Sequence, residues 1–271
     1  MRTFRLFGYK DASYRISISG PDKDLGNNEE SNRVFNLITD NIKAVRTDIE
    51  RYIKRHPAFL SSLEPVRLMS EAPNPVLMMA DAAEKTGLGP MAAVAGTIAQ
   101  CAAGLSADTA LNAGFDEIII ENGGDIFISI RRAETSEGTR KAVVAGIFSG
   151  LESDFSNLAL KIENEELPIS ICSSSGRMGH SLSMGDCDLS TVISKNAALA
   201  DAAATLGGNI VMTEDDLRPS AEKIAAIEGI IGVILIKNSR IAMAGKLPEL
   251  IKHHDAAGLD KITTTVKGKE F

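Results

Sequence analysis

At 271 residues and 44% hydrophobic side chains, the chain is long enough to bury a full core, and with no linker-like stretch it is expected to form one domain over 1–271. A formal net charge of −7, with no Lys/Arg cluster, excludes nucleic acid as a partner class. Cys101, Cys172 and Cys187 stand at unrelated spacings that fit neither a disulfide framework nor a Cys-x-x-Cys metal site.

The segment Met1–Lys10 is interrupted by charge and lacks the apolar stretch of a signal peptide, and no run reaches the ~18 uninterrupted apolar residues of a membrane span. A cytoplasmic protein with reduced thiols and no membrane contact is expected; a homo-oligomer is left open.

In chain order, residues 3–7 and 13–18 alternate apolar and polar side chains around Lys10-Asp11, which predicts a hairpin with one buried face. Phe35, Ile38, Ile42, Val45, Ile49 and Tyr52 recur in steps of three and four, one stripe of a long helix reaching Ile53, capped by Ser31 or a preceding Asn and closed by Pro57. The Pro-punctuated stretch 58–80 predicts an extended connection with a short helical turn, then a helix entered at Pro75 and stopped at Gly87-Leu88-Gly89-Pro90. Residues 91–105 are small and apolar nearly all round, the pattern of a helix buried on most faces.

Strands are predicted at 115–120 and 126–130 about Asn122-Gly123-Gly124-Asp125, then at 142–148, 158–162 and 168–172. A strand at 191–194 leads into an Ala-rich helix over 196–206, which Ser194 or Asn196 can cap. An amphipathic helix over 214–227 and a hairpin of 231–236 with 240–243 complete the reading; the tail from His253 is unassigned. Helices and strands mix without regular βαβ alternation, which predicts an α+β layered fold of antiparallel sheets packed against helices.

Three constellations carry chemistry. Asp201 and Thr205 lie four apart, hence on one helix face, and offer oxygen ligands that suit a hard cation such as Mg²⁺; alone, they read first as a solvated Asp and a core-edge Thr. Asn122-Gly123-Gly124-Asp125 reads first as a tight turn, with Asp125 either holding it through an Asx bond or accepting from a ligand hydroxyl or ring N–H. Ser173-Ser174-Ser175-Gly176, followed by Arg177 and His180, collects the donors that a pyrophosphate needs, although a serine cluster alone is an ordinary loop.

Together these residues resemble the ApbE-like FAD:protein FMN transferases. The strand–Gly-Gly-Asp–strand element is similar to Asn122–Ile126, the Thr-Ser-Gly turn with its His loop to Ser174-Ser175-Gly176 and Gly179-His180, and the Ala-Asp-x-x-x-Thr helix to Ala200, Asp201 and Thr205. The match covers about 90 to 210. Three features depart from it: the loop after His180 lacks the family's proline and is shorter, the family's Gly-x-Ala-Lys-Gly segment is represented by Ala93-Val94-Ala95-Gly96-Thr97, without lysine, and the lipoprotein signal common in that family is not expected here. The whole chain is most similar to a shorter sister family of ApbE-like proteins with no assigned activity.

The resemblance implies an ApbE-type fold, FAD as substrate or ligand, and Mg²⁺ held by Asp201, Thr205 and the backbone carbonyl of Ala95. It implies flavin-nucleotide contacts from Asn122, Gly123, Gly124, Asp125, Ser174, Ser175, Gly176 and Arg177, with His180 in the catalytic role. The implied reaction moves FMN from FAD to a threonine of an acceptor flavoprotein, or to water. The shortened loop and missing lysine keep a rival open: a non-catalytic flavin- or nucleotide-binding accessory protein in anaerobic sulfur or cofactor metabolism.

Overall fold

The computed structural model describes residues 2–20, 28–130, 142–147, 155, 157–175 and 185–252. Strands β1 (Thr3–Tyr9) and β2 (Ala12–Ser19) form the expected hairpin. Helix α1 (Glu29–Arg55) buries the predicted stripe. Its cap is Asn28, whose side chain accepts the Ser31 N–H at 2.8 Å. The short α2 (Ala58–Ser61), α3 (Asn74–Thr86) and a 3₁₀ turn over Pro90–Ala93 lead into α4 (Val94–Asn112), which runs seven residues beyond the predicted end.

Strands β3 (Glu117–Asn122) and β4 (Asp125–Ile130) are followed by β5 (Val143–Gly146), β6 (Leu158–Ile162), β7 (Ile169–Ser174) and β8 (Leu189–Ser194). Then come α5 (Ala197–Ile210), α6 (Leu217–Ala225), β9 (Ile230–Lys237), β10 (Arg240–Gly245) and β11 (Glu249–Lys252). The helix expected over 214–227 divides into a 3₁₀ turn at Glu214–Asp216 and α6.

The strands make an eight-stranded sheet in the order β1-β2-β3-β4-β7-β8-β9-β10 and a three-stranded sheet in the order β11-β6-β5. Every pairing is antiparallel, so the α+β layered fold holds. Because side chains alternate along a strand, the large sheet has two apolar faces. One packs Ile16, Ile18, Ile120 and Phe127 against α1 and α4, and Cys172, Val192 and Val233 against α5 and α6. The other packs Ile128, Ile171 and Ile193 against Val143, Leu160 and Ile162 of the small sheet.

Helix α4 with its preceding turn, Pro90–Asn112, is long and apolar enough to cross a membrane, but 56% of its most apolar window is buried inside the protein. It lies in the core beside α1 and α5. Its small side chains allow that close packing: a Cβ on Gly96 would stand 2.3 Å from the Ala197 carbonyl oxygen.

Candidate functional site

The site is built where the first turns of α4 and α5 cross over the ends of β3, β4 and β7. Gly96 and Ala197 touch there, and each helix supplies a polar side chain to the other's N-terminus. The Gly96 N–H donates to Asp201 Oδ2 at 2.8 Å, the Ala95 N–H donates to the same carboxylate, and the Ala197 N–H donates to Gln100 Oε1 at 2.7 Å. Helix N-termini carry unpaired N–H groups and the positive end of the helix dipole, so both contacts answer a local demand. Residue 93, the N-cap of α4, makes no side-chain cap of its own. Asn196 caps α5 by accepting the Leu199 N–H at 3.2 Å.

Gly123 and Gly124 form a two-residue hairpin turn with φ of 64° and 113°, both in the left-handed region that glycine enters freely. The turn makes Asn122 and Asp125 direct cross-strand partners. Both lie on the helix-facing side of the sheet and both are buried. Asn122 donates from Nδ2 to the Ala95 carbonyl at 3.3 Å. Asp125 does not hold its own turn: its carboxylate is hydrogen-bonded by the Cys172 thiol and the Ser173 N–H of neighbouring β7.

Asp125 and Asp201 are each 8% exposed. Burial first, and then their mutual repulsion in the case of Asp201, pushes both carboxyls above the ordinary aspartate range, and among the described residues no basic side chain acts on either. Cys172 lies between them, its thiol 3.7 Å from the Ala197 carbonyl and pushed far up by burial and by the two acids. Thr205 follows Asp201 one turn later on the same face of α5 and is half-buried. No cluster of three or more His, Cys, Asp or Glu that could hold a metal occurs among the described residues.

Strand alternation divides the predicted serine cluster. Ser173 points to the small-sheet side and exchanges a hydrogen bond with Thr191 Oγ1 at 2.9 Å. Ser174 shares the helix-facing side with Cys172. Its Oγ and that of its cross-strand partner Ser190 are buried with no hydrogen-bond partner among the described residues. Ser175, 8% exposed, follows the strand end. Gly176, Arg177 and His180 lie outside the described residues.

At Gly185 a Cβ would sit 2.2 Å from the Gly208 carbonyl oxygen. Beside it the nearly buried Lys237 ammonium binds the Asp186 carboxylate at 2.7 Å and its carbonyl at 2.6 Å. The structure therefore brings together Asn122, the turn glycines, Asp125, Ser174, Ala95 and Asp201. The roles of Gln100 and Cys172, and the partner of Gly96, are not legible in the sequence because they depend on contact with segments more than 20 residues away. The only local signal was a glutamine and a glycine in the first two turns of an otherwise alanine-rich helix.

A family model described as "AbpE bacteria" matches residues 10–231. A UPF0280 protein of Methanococcus aeolicus is 34% identical over 246 residues, spanning 89% of this chain and 92% of that protein. Another, from Methanocella arvoryzae, is 36% identical over 224 residues, spanning 83% and 85%. Among solved structures, the ApbE protein of Thermotoga maritima superposes with a TM-score of 0.51 at 12% identity, covering 91% of this chain and 97% of that one, a likeness of fold. With its matched sequence covering most of the chain and its sheet-and-helix layers following the same plan, the chain belongs to the ApbE-like family, among its UPF0280 members.

Proposed function

We propose that the protein is a Mg²⁺-dependent enzyme of the FAD:protein FMN transferase type. The observation that carries this reading is the buried carboxylate of Asp201, set against the first turn of α4 with no basic side chain among the described residues to offset it. Buried charges need a partner, and a hard cation would be one.

The donor set fits such an ion: the Asp201 carboxylate, the Ala95 carbonyl and the Thr205 hydroxyl are all oxygens and would hold it. Once bound, Mg²⁺ would offset charge on the FAD pyrophosphate during displacement. In this reading Gly123 and Gly124 let the backbone approach a flavin nucleotide closely, and the Ser174 hydroxyl, without a partner among the described residues, offers it a hydrogen bond. Ser175, Gly176 and Arg177 extend the same contact in this reading, with His180 moving the proton. An acceptor threonine oxygen attacks the FMN phosphorus, the pyrophosphate P–O bond breaks, AMP leaves, and the threonine proton is released.

A second reading, the non-catalytic flavin- or nucleotide-binding accessory protein, is favoured by Gly96. It stands where the resembled segment carries lysine, and the Ala197 carbonyl leaves a side chain no room there. Incubation with FAD, Mg²⁺ and a threonine-bearing peptide, read by mass spectrometry, separates the two. FMN on the peptide, or AMP released to solution, supports the enzyme. FAD bound but intact at every Mg²⁺ concentration supports the accessory protein.

A further inference from the structure

Resting on that reading of the cation site, we infer that Asn122 and Asp125 serve the cation: Asn122 sets the direction of the Ala95 carbonyl, and Asp125 supplies a second negative charge beside Asp201. Three observations on the chain itself carry this.

The first is the turn geometry. A two-residue Gly-Gly turn leaves Asn122 and Asp125 directly opposite each other, so both side chains project from the sheet toward the helices. The flanking residues of this turn thus face the crossing of α4 and α5, whereas the glycines form its tip.

The second is the state of Asp201. Its Oδ2 already accepts from the N–H of Gly96, and the positive end of the α4 dipole lies against it. Part of its charge is therefore answered by protein, and less is left for a dication. One aspartate so engaged is a weak anchor for Mg²⁺, and a second buried carboxylate restores the deficit. Asp125 is suited to this because its partners, a thiol and one backbone N–H, give it no countercharge among the described residues.

The third is the Asn122 amide. A carbonyl oxygen has two lone pairs, and in the first turn of α4 the Ala95 carbonyl is already directed along the helix. The Asn122 Nδ2–H at 3.3 Å ties that carbonyl to the β3–β4 turn, so a shift of the turn would move a ligand oxygen. Groups that orient ligands in this way matter to affinity although they never touch the metal.

The test is calorimetric titration of Mn²⁺ alone into metal-free full-length protein, with FAD binding measured separately by flavin fluorescence. Asp125→Asn and Asn122→Ala should each weaken Mn²⁺ binding by about tenfold or more, the usual loss for outer partners of a metal site. The metal-free melting temperature of Asp125→Asn should not fall, because a buried charge has been removed; a merely structural Asp125 would show the reverse pattern. Should that variant fail to fold, Asp125→Glu keeps the charge and should retain Mn²⁺ binding. Folded Asp125→Asn and Asn122→Ala proteins that bind Mn²⁺ like wild type overturn the inference and leave the proposed function standing. A wild-type protein that binds FAD but no Mn²⁺ or Mg²⁺ overturns both.

Discussion

Asp201 caps a helix to which it does not belong: on the second turn of α5, it accepts the N–H of Gly96 in the first turn of α4 at 2.8 Å. Gln100 returns the contact by accepting the N–H of Ala197. The two helices are thus joined at their N-termini by reciprocal caps, and the closeness that makes the caps reachable comes from Gly96 lying on the Ala197 carbonyl. The same carboxylate is the proposed cation ligand. Structure and function compete for it, and substitutions that remove its charge or its whole side chain separate them.

Asp201→Asn keeps an oxygen that can accept from Gly96 but removes the charge. We expect it to fold at wild-type stability or better and to lose Mg²⁺ binding. Asp201→Ala leaves the α4 N–H groups unanswered and should cost about 1–2 kcal/mol, the ordinary value of a lost cap. Paired urea melts and metal titrations check this. An Asp201→Asn protein that binds Mg²⁺ like wild type would show the carboxylate to be a cap and nothing more.

Gly96→Ala forces a Cβ to within 2.3 Å of the Ala197 carbonyl oxygen, a backbone atom that cannot rotate away. Helices α4 and α5 must part, at about 1–3 kcal/mol for overpacking. At this chain length a melting temperature lower by several degrees is expected. An unchanged melting temperature would mean that the two helices are less closely held than the contact implies.

Much of this architecture is legible in the sequence, because it rests on local pattern. The β1–β2 hairpin follows from strict alternation, the α1 stripe from steps of three and four, and the turn from two adjacent glycines. Elements set by distant partners were not legible. Strand β11, four residues long, gains its pairing from β6, nearly 90 residues earlier. The last two turns of α4 carry Ser106, Asp108 and Thr109, which read as a helix end, yet Ser106 is buried and bonded to Asn41 of α1. At the site, Asp201 was visible through its spacing to Thr205. Its contact with Gly96, 105 residues away, was not.

The acid pair gives a pH dependence whose sign can be worked out. Asp125 and Asp201 titrate above the ordinary value of 3.8 in the folded protein and near it when unfolded. Between those limits the folded state holds more protons, so metal-free protein loses stability as pH rises from about 4 through the raised folded-state range. Bound Mg²⁺ favours the ionised acids and should stabilise most at the upper end of that range. Denaturant midpoints at pH 5 and pH 8, with chelator and with Mg²⁺, read both slopes. Metal-free stability that instead increases with pH and disappears as a trend in Asp125→Asn would reverse the assignment.

The turn glycines decide whether backbone space or backbone conformation is what the site requires. Gly123 at φ 64° occupies the left-handed position that asparagine tolerates, and Asn-Gly is a favoured pair for a two-residue hairpin turn. Gly123→Asn should therefore fold without loss and gain up to about 1 kcal/mol by restricting the unfolded chain. Gly124 at φ 113° lies further from any well open to a side chain, so Gly124→Asn should be destabilised by about 1–3 kcal/mol. Under the proposed function a flavin nucleotide would rest on the turn, and a side chain at 123 would then stand where the backbone approaches the ligand. We expect Gly123→Asn to be as stable as wild type yet to bind FAD at least tenfold more weakly. Measuring its melting curve beside flavin fluorescence separates the two demands, and unchanged FAD affinity in this variant would place the ligand away from the turn.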